Sequence, residues 1–394
     1  MRKKIAFAGG GTAGHVIPNL ALIEELQNDF DIVYIGSNSQ METNLIEPLG
    51  IKYYGISTGK LRRYFDVRNV TDAINVLVGI RQATKILKNE KPDILFSKGG
   101  FAAVPVVLAA RNLKIPIISH ESDMTPGLAN RIAIPHSKRI ACNFESTLQY
   151  LPKNKGFVSG LPIRKYLYDG DKKRCLEKYG LQDKKTIFIL GGSSGSVYIN
   201  RLVAKNLNYL LKDYNVIHQC GFNHKVDTNK IEISDKNLLK NYVVLDYINA
   251  SDMADIYALS DLVISRSGAS AIFELLCLKK PMLLIPLSRR ASRGDQILNA
   301  KDFCSKGYAN MLSEEDVIED ATDTKFETEN MYNENELSMA RGDNIFLRKI
   351  NETIQNSSEY IKNMESADIR NSKDIIIEEI KKLIWFLENM HKYC

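Results

Sequence analysis

The sequence predicts an α/β protein made of two Rossmann-like parallel-sheet domains that face a cleft. Three observations lead to this prediction: the length of 394 residues, an alternation of strand-like and helix-like segments, and a glycine-rich loop after the first strand of each half. Because domains usually hold about 100 to 200 residues, one compact core is not expected.

The composition, with 44% hydrophobic and 25% charged residues, is that of an ordinary globular protein. The apolar stretch Ala102–Ala110 is among the longest, and it is far shorter than the roughly 20 residues of a membrane-spanning helix. The basic start Met1–Lys4 precedes only a short apolar run, whereas a signal peptide needs roughly 7 to 15 apolar residues. We therefore expect a cytosolic chain without a spanning segment.

Cysteine spacing and charge narrow the chemistry further. The six cysteines lie at least 27 residues apart, so no pair has the spacing of a zinc or redox centre, and we expect reduced thiols. The net charge of +6 is uneven, because residues 313–345 hold eleven acidic and two basic residues, which leaves the remainder about +15. An anionic substrate or surface is therefore not repelled.

The first half begins with an apolar strand that runs from Ile5 into Gly9, and a helix with apolar periodicity follows at Val16–Leu26. Strand-like and helix-like segments then alternate. The predicted strands are Asp31–Ile35, Asp93–Phe96, Ile115–Ser119 and Arg139–Asn143, and the predicted helices include Asn69–Lys88 and Ala102–Asn112. This alternation indicates a parallel sheet.

The pattern restarts at Thr186–Leu190, which runs into the loop Gly191–Gly195 and a helix at Val197–Leu211. Further strands are predicted at Tyr214–His218, Val243–Leu245, Leu262–Ser265 and Met282–Pro286. Glycines and a proline cluster between the two halves, so we place the first domain at 1–162 and the second at 163–312.

Three segments follow residue 312. The acidic stretch 313–345 lacks proline and clear periodicity, so we expect a solvated, mobile insertion, with a structured acidic docking surface as the alternative. Residues 346–373 are expected to form a helical connection. Amphipathic periodicity predicts a terminal helix over about residues 374–394.

The first loop has the spacing of a dinucleotide-binding motif, with Gly9, Gly11 and Gly14 between a strand and a helix. An NAD-dependent enzyme also needs an acidic residue at the end of the second strand, and residues 34–38 contain none. This argues against an oxidoreductase. His15 follows the loop and has the chemistry of a general base, although a histidine there is equally a cap or packing residue.

Other loops have the composition of ligand-binding loops. Lys98–Phe101 and His120–Gly127 follow strands in the first half, and Gly191–Gly195 in the second offers N–H groups suited to a diphosphate. Glu274, near the start of a helix, either stabilises that helix through its dipole or accepts hydrogen bonds from a ribose. The stretch Arg293–Gln296 alone indicates a surface loop.

Two further features have competing interpretations. Asp169 and Asp171 have the spacing of the carboxylate pair that metal-dependent sugar transferases use, but they lie in the interdomain linker, so we expect a solvated turn, no metal and no cofactor. Arg62, Arg63 and Arg68 precede an apolar helix and are candidate membrane contacts, since basic residues near anionic lipid contribute about 1 kcal/mol each. The alternative is that this helix face belongs to the core.

In chain order, these motifs resemble the MurG family of UDP-N-acetylglucosamine transferases, which complete lipid II in peptidoglycan synthesis. The resemblance covers residues 4–312 and rests on GGGTAGHVIPNLAL, LFSKGGFAAVPV, SHESDMTPGLANRIA, GLPIR, LGGSSGS, ISRSGASAIFELL and SRGDQILNA. It implies the GT-B glycosyltransferase architecture, with the C-terminal helix crossing back onto the first domain. It also implies an inverting, metal-independent transfer of N-acetylglucosamine from UDP-N-acetylglucosamine (UDP-GlcNAc) to the muramoyl 4-OH of lipid I.

The resemblance further implies roles for individual residues. Thr12, Ala13 and Gly14 match the family's first loop, near the donor diphosphate and the acceptor, and His15 matches its histidine. The residues that match donor contacts are Asp123, Arg164, Ser193, Ile248, Ala269, Ser270, Ala271, Ile272, Phe273, Glu274 and Gln296. In the family, the backbone at the position of Ile248 meets uracil, and the glutamate at the position of Glu274 binds ribose. The chain departs from many members, which have Gly at position 13 and Asn at position 123, and the acidic insertion is extra to the family pattern.

The implied partners are UDP-GlcNAc, lipid I and other cell-wall synthesis proteins, with no nucleic acid. The implied location is peripheral, on the cytoplasmic face of the cell membrane. Three alternatives stay open: an epimerase-like enzyme that acts on a UDP-sugar alone, an NAD-dependent oxidoreductase, and a non-enzymatic scaffold that keeps the fold and binds UDP weakly or not at all.

Overall fold

The chain divides into two compact units in the computed structural model, which describes residues 2–59, 68–192, 195–222, 233–289, 294–314, 345–367 and 372–390. Met1–Lys165 and Asp368–Cys394 form the first unit, and Tyr166–Ala367 forms the second. Each unit contains one parallel sheet with helices between its strands. The predicted fold class, α/β with two Rossmann-like domains, is confirmed.

The first unit contains a seven-stranded parallel sheet within its described residues. Its strands are β1 (Lys4–Ala8), β2 (Asp31–Ser37), β3 (Lys52–Ile56), β4 (Ile94–Ser97), β5 (Ile117–Glu121), β6 (Arg139–Cys142) and β7 (Gly156–Val158), in the order β3-β2-β1-β4-β5-β6-β7. The helices between them are α1 (Ala13–Leu26), α2 (Gln40–Ile46), α3 (Arg68–Glu90), α4 (Ala103–Asn112) and α5 (Leu128–Ala133). The central strands β1, β4 and β5 are almost entirely buried, and apolar residues predominate in β1 and β4, as expected when helices cover both faces of a parallel sheet.

The second unit repeats this plan with six parallel strands in its described residues. They are β8 (Thr186–Leu190), β9 (Asn215–Gln219), β10 (Tyr242–Leu245), β11 (Leu262–Ser265), β12 (Met282–Leu284) and β13 (Asn310–Met311), in the order β10-β9-β8-β11-β12-β13. Its helices are α6 (Lys172–Tyr179), α7 (Val197–Asp213), α8 (Ala250–Leu259), α9 (Ala269–Cys277), α10 (Asp295–Ser305), α11 (Ile345–Gln355) and α12 (Ser357–Glu365). Short 3₁₀ helices occur at Glu47–Leu49, Ile134–His136, Glu145–Tyr150, Lys165–Tyr168 and Lys236–Asn241.

The terminal helix α13 (Ser372–Met390) packs against the first unit. Ile376, Ile380 and Ile384 recur every four residues, so they share one helix face, and all three join the buried cluster around β1 and α1. The Ser372 hydroxyl donates to the carbonyl of Leu161 at 2.7 Å, which fixes the start of the helix. The chain therefore returns to its first unit after completing the second.

Other features of the described residues bear on the sequence predictions. The cysteines at positions 142, 175, 220 and 277 are buried free thiols, and Cys304 is a partly exposed one. No helix in these ranges has the length and apolar content needed to cross a membrane. Most of the predicted acidic insertion, residues 315–344, lies outside the described residues, and so do Arg62, Arg63 and Ser193.

Candidate active site

The first glycine loop connects β1 to α1. Thr12 adopts an extended backbone immediately before the helix, and its hydroxyl lies 2.9 Å from Nδ1 of His15 instead of capping the helix. The amide of His15 donates to the carbonyl of Thr12 at 3.1 Å. Thr12, Ala13, Gly14 and His15 therefore form one turn, in which the threonine orients the imidazole.

The second loop, after β4, packs against the first. Gly99 and Gly100 both have positive φ angles, +84° and +77°, which glycine adopts without strain. A Cβ atom at Gly100 would lie about 3.1 Å from Cγ of His15, so only a glycine lets this backbone approach the imidazole so closely. The amide of Lys98 donates to the carbonyl of Ala8 at 2.8 Å, which ties the two loops together.

Lys98 is a buried lysine at the carboxyl end of β4. Its side chain is 1% exposed, and its ammonium donates to the hydroxyl of Ser122 in the third loop. Burial lowers the pKa of Lys98 to about 8, while the nearby carboxylates of Glu121 and Asp123 act in the opposite direction. The ammonium therefore connects the loops that follow β4 and β5.

Glu121 organises the third loop, after β5. Its carboxylate accepts hydrogen bonds from the amides of Asp123 at 2.9 Å and Gly127 at 3.0 Å, and from Nδ2 of Asn130 at 2.8 Å. Burial, reinforced by the charge of Asp123, raises the pKa of Glu121. The loop that carries Asp123 is thus held from within by a buried carboxyl group.

The structure brings most of the predicted first-unit residues together. The strands β1, β4 and β5 are neighbours, so their loops, which carry Thr12 to His15, Lys98 and Asp123, meet at one edge of the sheet. Arg164 lies elsewhere in this unit and forms an ion pair with Glu24 at 3.3 Å.

Glu42 is a buried residue of this region that the sequence analysis does not single out. Its carboxylate lies beneath the first glycine loop and accepts the amide of Gly11 at 2.8 Å. The available signal is its spacing, because Glu42 is four residues before buried Ile46 and so lies on the same inward face of α2.

The glycine loop of the second unit connects β8 to α7. Gly192 has φ of +92°, and apart from its chain neighbours no atom of the residues that the structure describes lies within 4 Å of a Cβ built on it. Ser196 caps α7 by accepting the amide of Ile199 at 3.3 Å, and its hydroxyl also accepts a hydrogen bond from Arg266 at 2.7 Å. This loop is therefore fixed at its helical end and open at Gly192.

A second open turn precedes α9. Gly268 occupies the N-cap position, no side chain in the described ranges caps this helix, and a Cβ there would meet no described atom within 4 Å. Ile272 and Phe273 are buried in the core and Ala269 is almost fully buried, so Ser270, Ala271 and Glu274 are the predicted side chains that reach the surface.

The carboxylate of Glu274 is held by a buried tyrosine. Its Oε2 accepts a hydrogen bond from the hydroxyl of Tyr257 at 3.3 Å. Burial, together with the charge of Glu274, raises the pKa of Tyr257, so this hydroxyl keeps its proton and acts as a donor. Glu274 is therefore oriented before any ligand arrives.

Ile248 and Gln296 occupy supporting positions in the second unit. The side chain of Ile248 is buried just before α8, which leaves its backbone as the group that can meet a ligand. Gln296 accepts the amide of Leu287 through Oε1 at 3.1 Å, and its carbonyl accepts the hydroxyl of Ser267 at 2.8 Å. Gln296 thereby braces the turn between β11 and α9.

One of the two linker carboxylates, that of Asp171, caps a helix. Asp171 is the N-cap of α6 and accepts the amides of Lys173 at 2.7 Å and Arg174 at 3.2 Å. In the described part of the chain, no group of three or more His, Cys, Asp or Glu side chains has the arrangement of a metal site.

Helix α3 exposes two large apolar side chains. Arg68 is the first residue of this helix, and Ile74 and Leu77 further along it are 55% and 60% exposed. These two side chains therefore do not belong to the core of the first unit, which was the alternative that the sequence left open.

Domain-family comparisons match both halves of the chain. The glycosyltransferase family 28 N-terminal domain matches residues 5–142, and the glycosyltransferase family 28 C-terminal domain matches residues 186–356. A protein of Clostridium tetani (strain Massachusetts / E88) is 45% identical over 384 residues, which are 97% of this chain and 98% of the relative. That relative is named UDP-N-acetylglucosamine--N-acetylmuramyl-(pentapeptide) pyrophosphoryl-undecaprenol N-acetylglucosamine transferase.

Solved structures share the fold at lower sequence identity. The crystal structure of Acinetobacter baumannii MurG has a TM-score of 0.66 and 24% identity, and the match covers 96% of this chain and 99% of that one. The UDP-GlcNAc 2-epimerase from Neisseria meningitidis, bound to UDP-GlcNAc, has a TM-score of 0.64 and 15% identity, with coverage of 97% and 100%. At these identities, the similarity establishes the shared two-domain architecture.

Proposed function

Because this chain belongs to glycosyltransferase family 28, we propose that it transfers N-acetylglucosamine from UDP-GlcNAc to the 4-OH of the muramoyl sugar of lipid I, giving lipid II. Lipid I is undecaprenyl-diphospho-MurNAc-pentapeptide. The name of the Clostridium tetani relative describes this transfer, and that relative is similar over nearly the whole chain.

The observation that carries the proposal is the start of α9. Gly268 leaves open space at a helix N-terminus whose N–H groups suit a phosphate. Glu274 lies further along the same helix, already oriented by Tyr257. Donors for a diphosphate and a carboxylate for ribose hydroxyls thus follow one another on one element, as recognition of a nucleoside diphosphate requires.

In the proposed reaction, the acceptor 4-OH attacks the anomeric carbon of N-acetylglucosamine from the face opposite UDP, so the configuration inverts. A bond forms between O4 and C1, the bond from C1 to the β-phosphate oxygen breaks, and UDP leaves with the electron pair. His15 accepts the hydroxyl proton. Thr12 supports this role, because when Nδ1–H donates to its hydroxyl the lone pair of the imidazole lies on Nε2.

The charge of the leaving diphosphate has to be balanced, and we propose that protein groups do this without a metal ion. The amide of Gly192 and the N–H groups at the start of α9 would serve as fixed donors, which stabilise developing charge because they need no reorganisation. Arg164 and Ser193 would contribute by their resemblance to the family's donor contacts. Asp123 and Gln296 would complete the donor contacts.

The experiment that tests the function incubates the full chain with UDP-GlcNAc and a lipid I analogue in EDTA and follows UDP release. We expect release only when the acceptor is present, at a rate that EDTA does not change. Conversion of UDP-GlcNAc alone would indicate an epimerase-like enzyme instead. Release that requires added Mg²⁺ would contradict the metal-free mechanism, and no release under any condition would favour a scaffold.

A lipid acceptor places the enzyme at a membrane surface, and we propose that α3 makes the contact on the cytoplasmic face. Ile74 and Leu77 are exposed apolar side chains that would enter the headgroup region. Arg62, Arg63 and Arg68 would add attraction to anionic lipid. The chain would then be peripheral, without a segment in the bilayer interior.

Vesicle binding separates the apolar and the charged contributions. Replacing Arg62, Arg63 and Arg68 by Ser should weaken binding to anionic vesicles at low salt by about 100-fold, from about 1 kcal/mol per residue, with a smaller difference at high salt. Replacing Ile74 and Leu77 by Ser should weaken binding at every salt concentration. Leu298→Ser changes an exposed leucine of the second unit and serves as the control; equal binding by all variants would refute this landing site.

A further inference from the structure

Glu42 occupies a buried position beneath the loop that connects β1 to α1. Its Oε1 accepts the amide of Gly11 at 2.8 Å and the hydroxyl of Ser37 at 2.5 Å. Its Oε2 accepts the amide of Ser37 at 2.8 Å and the hydroxyl of Tyr53 at 3.2 Å. All of these donors are neutral, so hydrogen bonds stabilise the buried carboxylate.

The surrounding backbone leaves room for this carboxylate. A Cβ atom at Gly10 or at Gly36 would collide with the carboxylate oxygens of Glu42. Two glycines from different segments, one after β1 and one within β2, therefore accommodate the same side chain. Such matched space indicates that the carboxylate is an integral part of the loop.

The loop is held from below at a second point. The hydroxyl of Tyr34 donates to the carbonyl of Gly9 at 3.1 Å, and Nδ2 of Asn19 donates to that hydroxyl at 3.0 Å. Gly9 and Gly11, on either side of Gly10, are thus both fixed by buried side chains. The next residue in the chain is Thr12, whose hydroxyl contacts the imidazole of His15.

We propose that Glu42 is a positioning residue for the transfer reaction, fixing Gly11 and through it the turn that orients His15. The proposal rests on the proposed function. Gly11 has a positive φ angle of +89°. The hydrogen bond from its amide to Glu42 holds Gly11 in this conformation, and the conformation of Gly11 sets the direction in which the chain continues to Thr12. Small errors in the placement of a catalytic group cost much of its rate, about 100-fold for about 1 Å.

The same contact limits what the first loop can bind. The amide of Gly11 is directed at Glu42, so it does not donate to a ligand phosphate. The loop therefore differs from a dinucleotide-binding loop even though its glycine spacing is the same.

Glu42→Gln tests the proposal with little change in volume. The amide oxygen can still accept from Gly11, but the amide nitrogen then faces the N–H of Ser37, so the loop loses part of its support. We expect kcat to fall about 10- to 100-fold, with the KM for UDP-GlcNAc within about twofold. Glu47→Gln, the same change at an exposed position soon after, should leave both constants unchanged.

Hydrogen exchange supplies a readout that does not depend on activity, and its wild-type measurement needs no variant. In the wild-type chain, the amide of Gly11 should exchange slowly, and in Glu42→Gln it should exchange at least tenfold faster, as about 1.4 kcal/mol of lost protection implies. Wild-type kcat in a folded Glu42→Gln variant would overturn the proposal. Unprotected exchange at Gly11 in the wild type would overturn it even if the variant does not fold.

The two proposals fail in different ways. Loss of the proposed function would appear as an absence of acceptor-dependent UDP release by the wild-type chain. Failure of the role of Glu42 would appear in an active wild type as an unprotected Gly11 amide or as a fully active variant.

Discussion

The two glycine loops occupy the same place in their respective sheets but have different surroundings. Each follows the third strand in the sheet order, β1 or β8, and each contains a glycine of nearly equal conformation, with φ of +89° at Gly11 and +92° at Gly192. A Cβ at Gly11 would collide with the ring of Phe101, and one at Gly10 with the carboxylate of Glu42. At Gly192, no described atom lies within 4 Å of the corresponding Cβ.

This difference shows that one sequence pattern serves two physical purposes. In the first unit, glycines let protein groups pack against the backbone of the loop that presents Thr12 and His15. In the second unit, Gly191 and Gly195 are packed just as closely against backbone atoms, whereas Gly192 leaves space in which N–H groups can meet a ligand. We therefore propose that the first loop serves turnover and that the second serves donor binding.

The largest expected effect separates these two assignments. His15→Ala should lower kcat by about 100- to 10,000-fold, the usual contribution of general-base catalysis, because no other group on this turn accepts the acceptor proton. The dissociation constant of UDP-GlcNAc, measured by calorimetry, should change by less than about twofold. His136→Ala, in the same unit, is the matched control. Wild-type turnover by His15→Ala would remove this residue from the mechanism.

The fold is predictable from the sequence to a large extent, because buried parallel strands such as β1, β4 and β8 are short apolar runs between helices. The pattern does not predict the edge strands β3, β7 and β13. Edge strands are short and only partly buried, and β3 alternates little between apolar and polar residues, so the hydrophobic signal is weak there.

The sequence predicts site residues only where they belong to a recognisable motif. His15 and Glu274 lie in recognisable strand-to-helix junctions, whereas Glu42 and Lys98 are charged residues that the structure buries. A charged residue is normally read as a surface residue, and its burial depends on partners distant in sequence, such as Gly11 for Glu42 and Ser122 for Lys98. The glycine spacing of the first loop likewise could not reveal that protein groups already occupy its surroundings.

A glycine-to-alanine substitution in each unit tests the difference between a filled and an open glycine turn. Gly10→Ala should destabilise the fold by about 1 to 3 kcal/mol, because the new methyl group overlaps the carboxylate of Glu42. Gly268→Ala places the same methyl group in open space, at a φ of −65° that alanine also adopts. The free energy of unfolding should therefore change by less than about 1 kcal/mol, which reflects only the weaker preference of alanine for the N-cap position. Because the methyl group would occupy the space proposed for the donor phosphate, the KM for UDP-GlcNAc should rise at least tenfold, which corresponds to about 1.4 kcal/mol of lost binding free energy.

Thermal unfolding and steady-state kinetics on both variants provide the measurement. A loss of 1 kcal/mol lowers Tm by about 2 to 4 °C in a protein of this domain size. If Gly268→Ala unfolded as early as Gly10→Ala and bound the donor normally, the distinction between a filled loop and an open turn would be wrong.

The smallest effect concerns how Glu274 is held. Tyr257→Phe keeps the ring, which packs edge-on against Phe188 at 5.7 Å, and removes one hydrogen bond of 3.3 Å to the carboxylate. Hydrogen bonds to a charged group contribute more than neutral ones, but this one is long, so we expect a loss of about 0.5 to 1.5 kcal/mol: the affinity for UDP should fall about two- to tenfold while kcat stays within about twofold. Because Glu274 is proposed to bind ribose hydroxyls, the loss should be smaller for 2′-deoxy-UDP, which inhibition constants can measure.

Tyr242→Phe is the control for this prediction. It removes the hydroxyl that pairs with Nδ1 of His218 and should leave the affinity for UDP unchanged. An equal loss for UDP and 2′-deoxy-UDP would mean that Tyr257 supports the second unit in general and does not position Glu274 for the ribose.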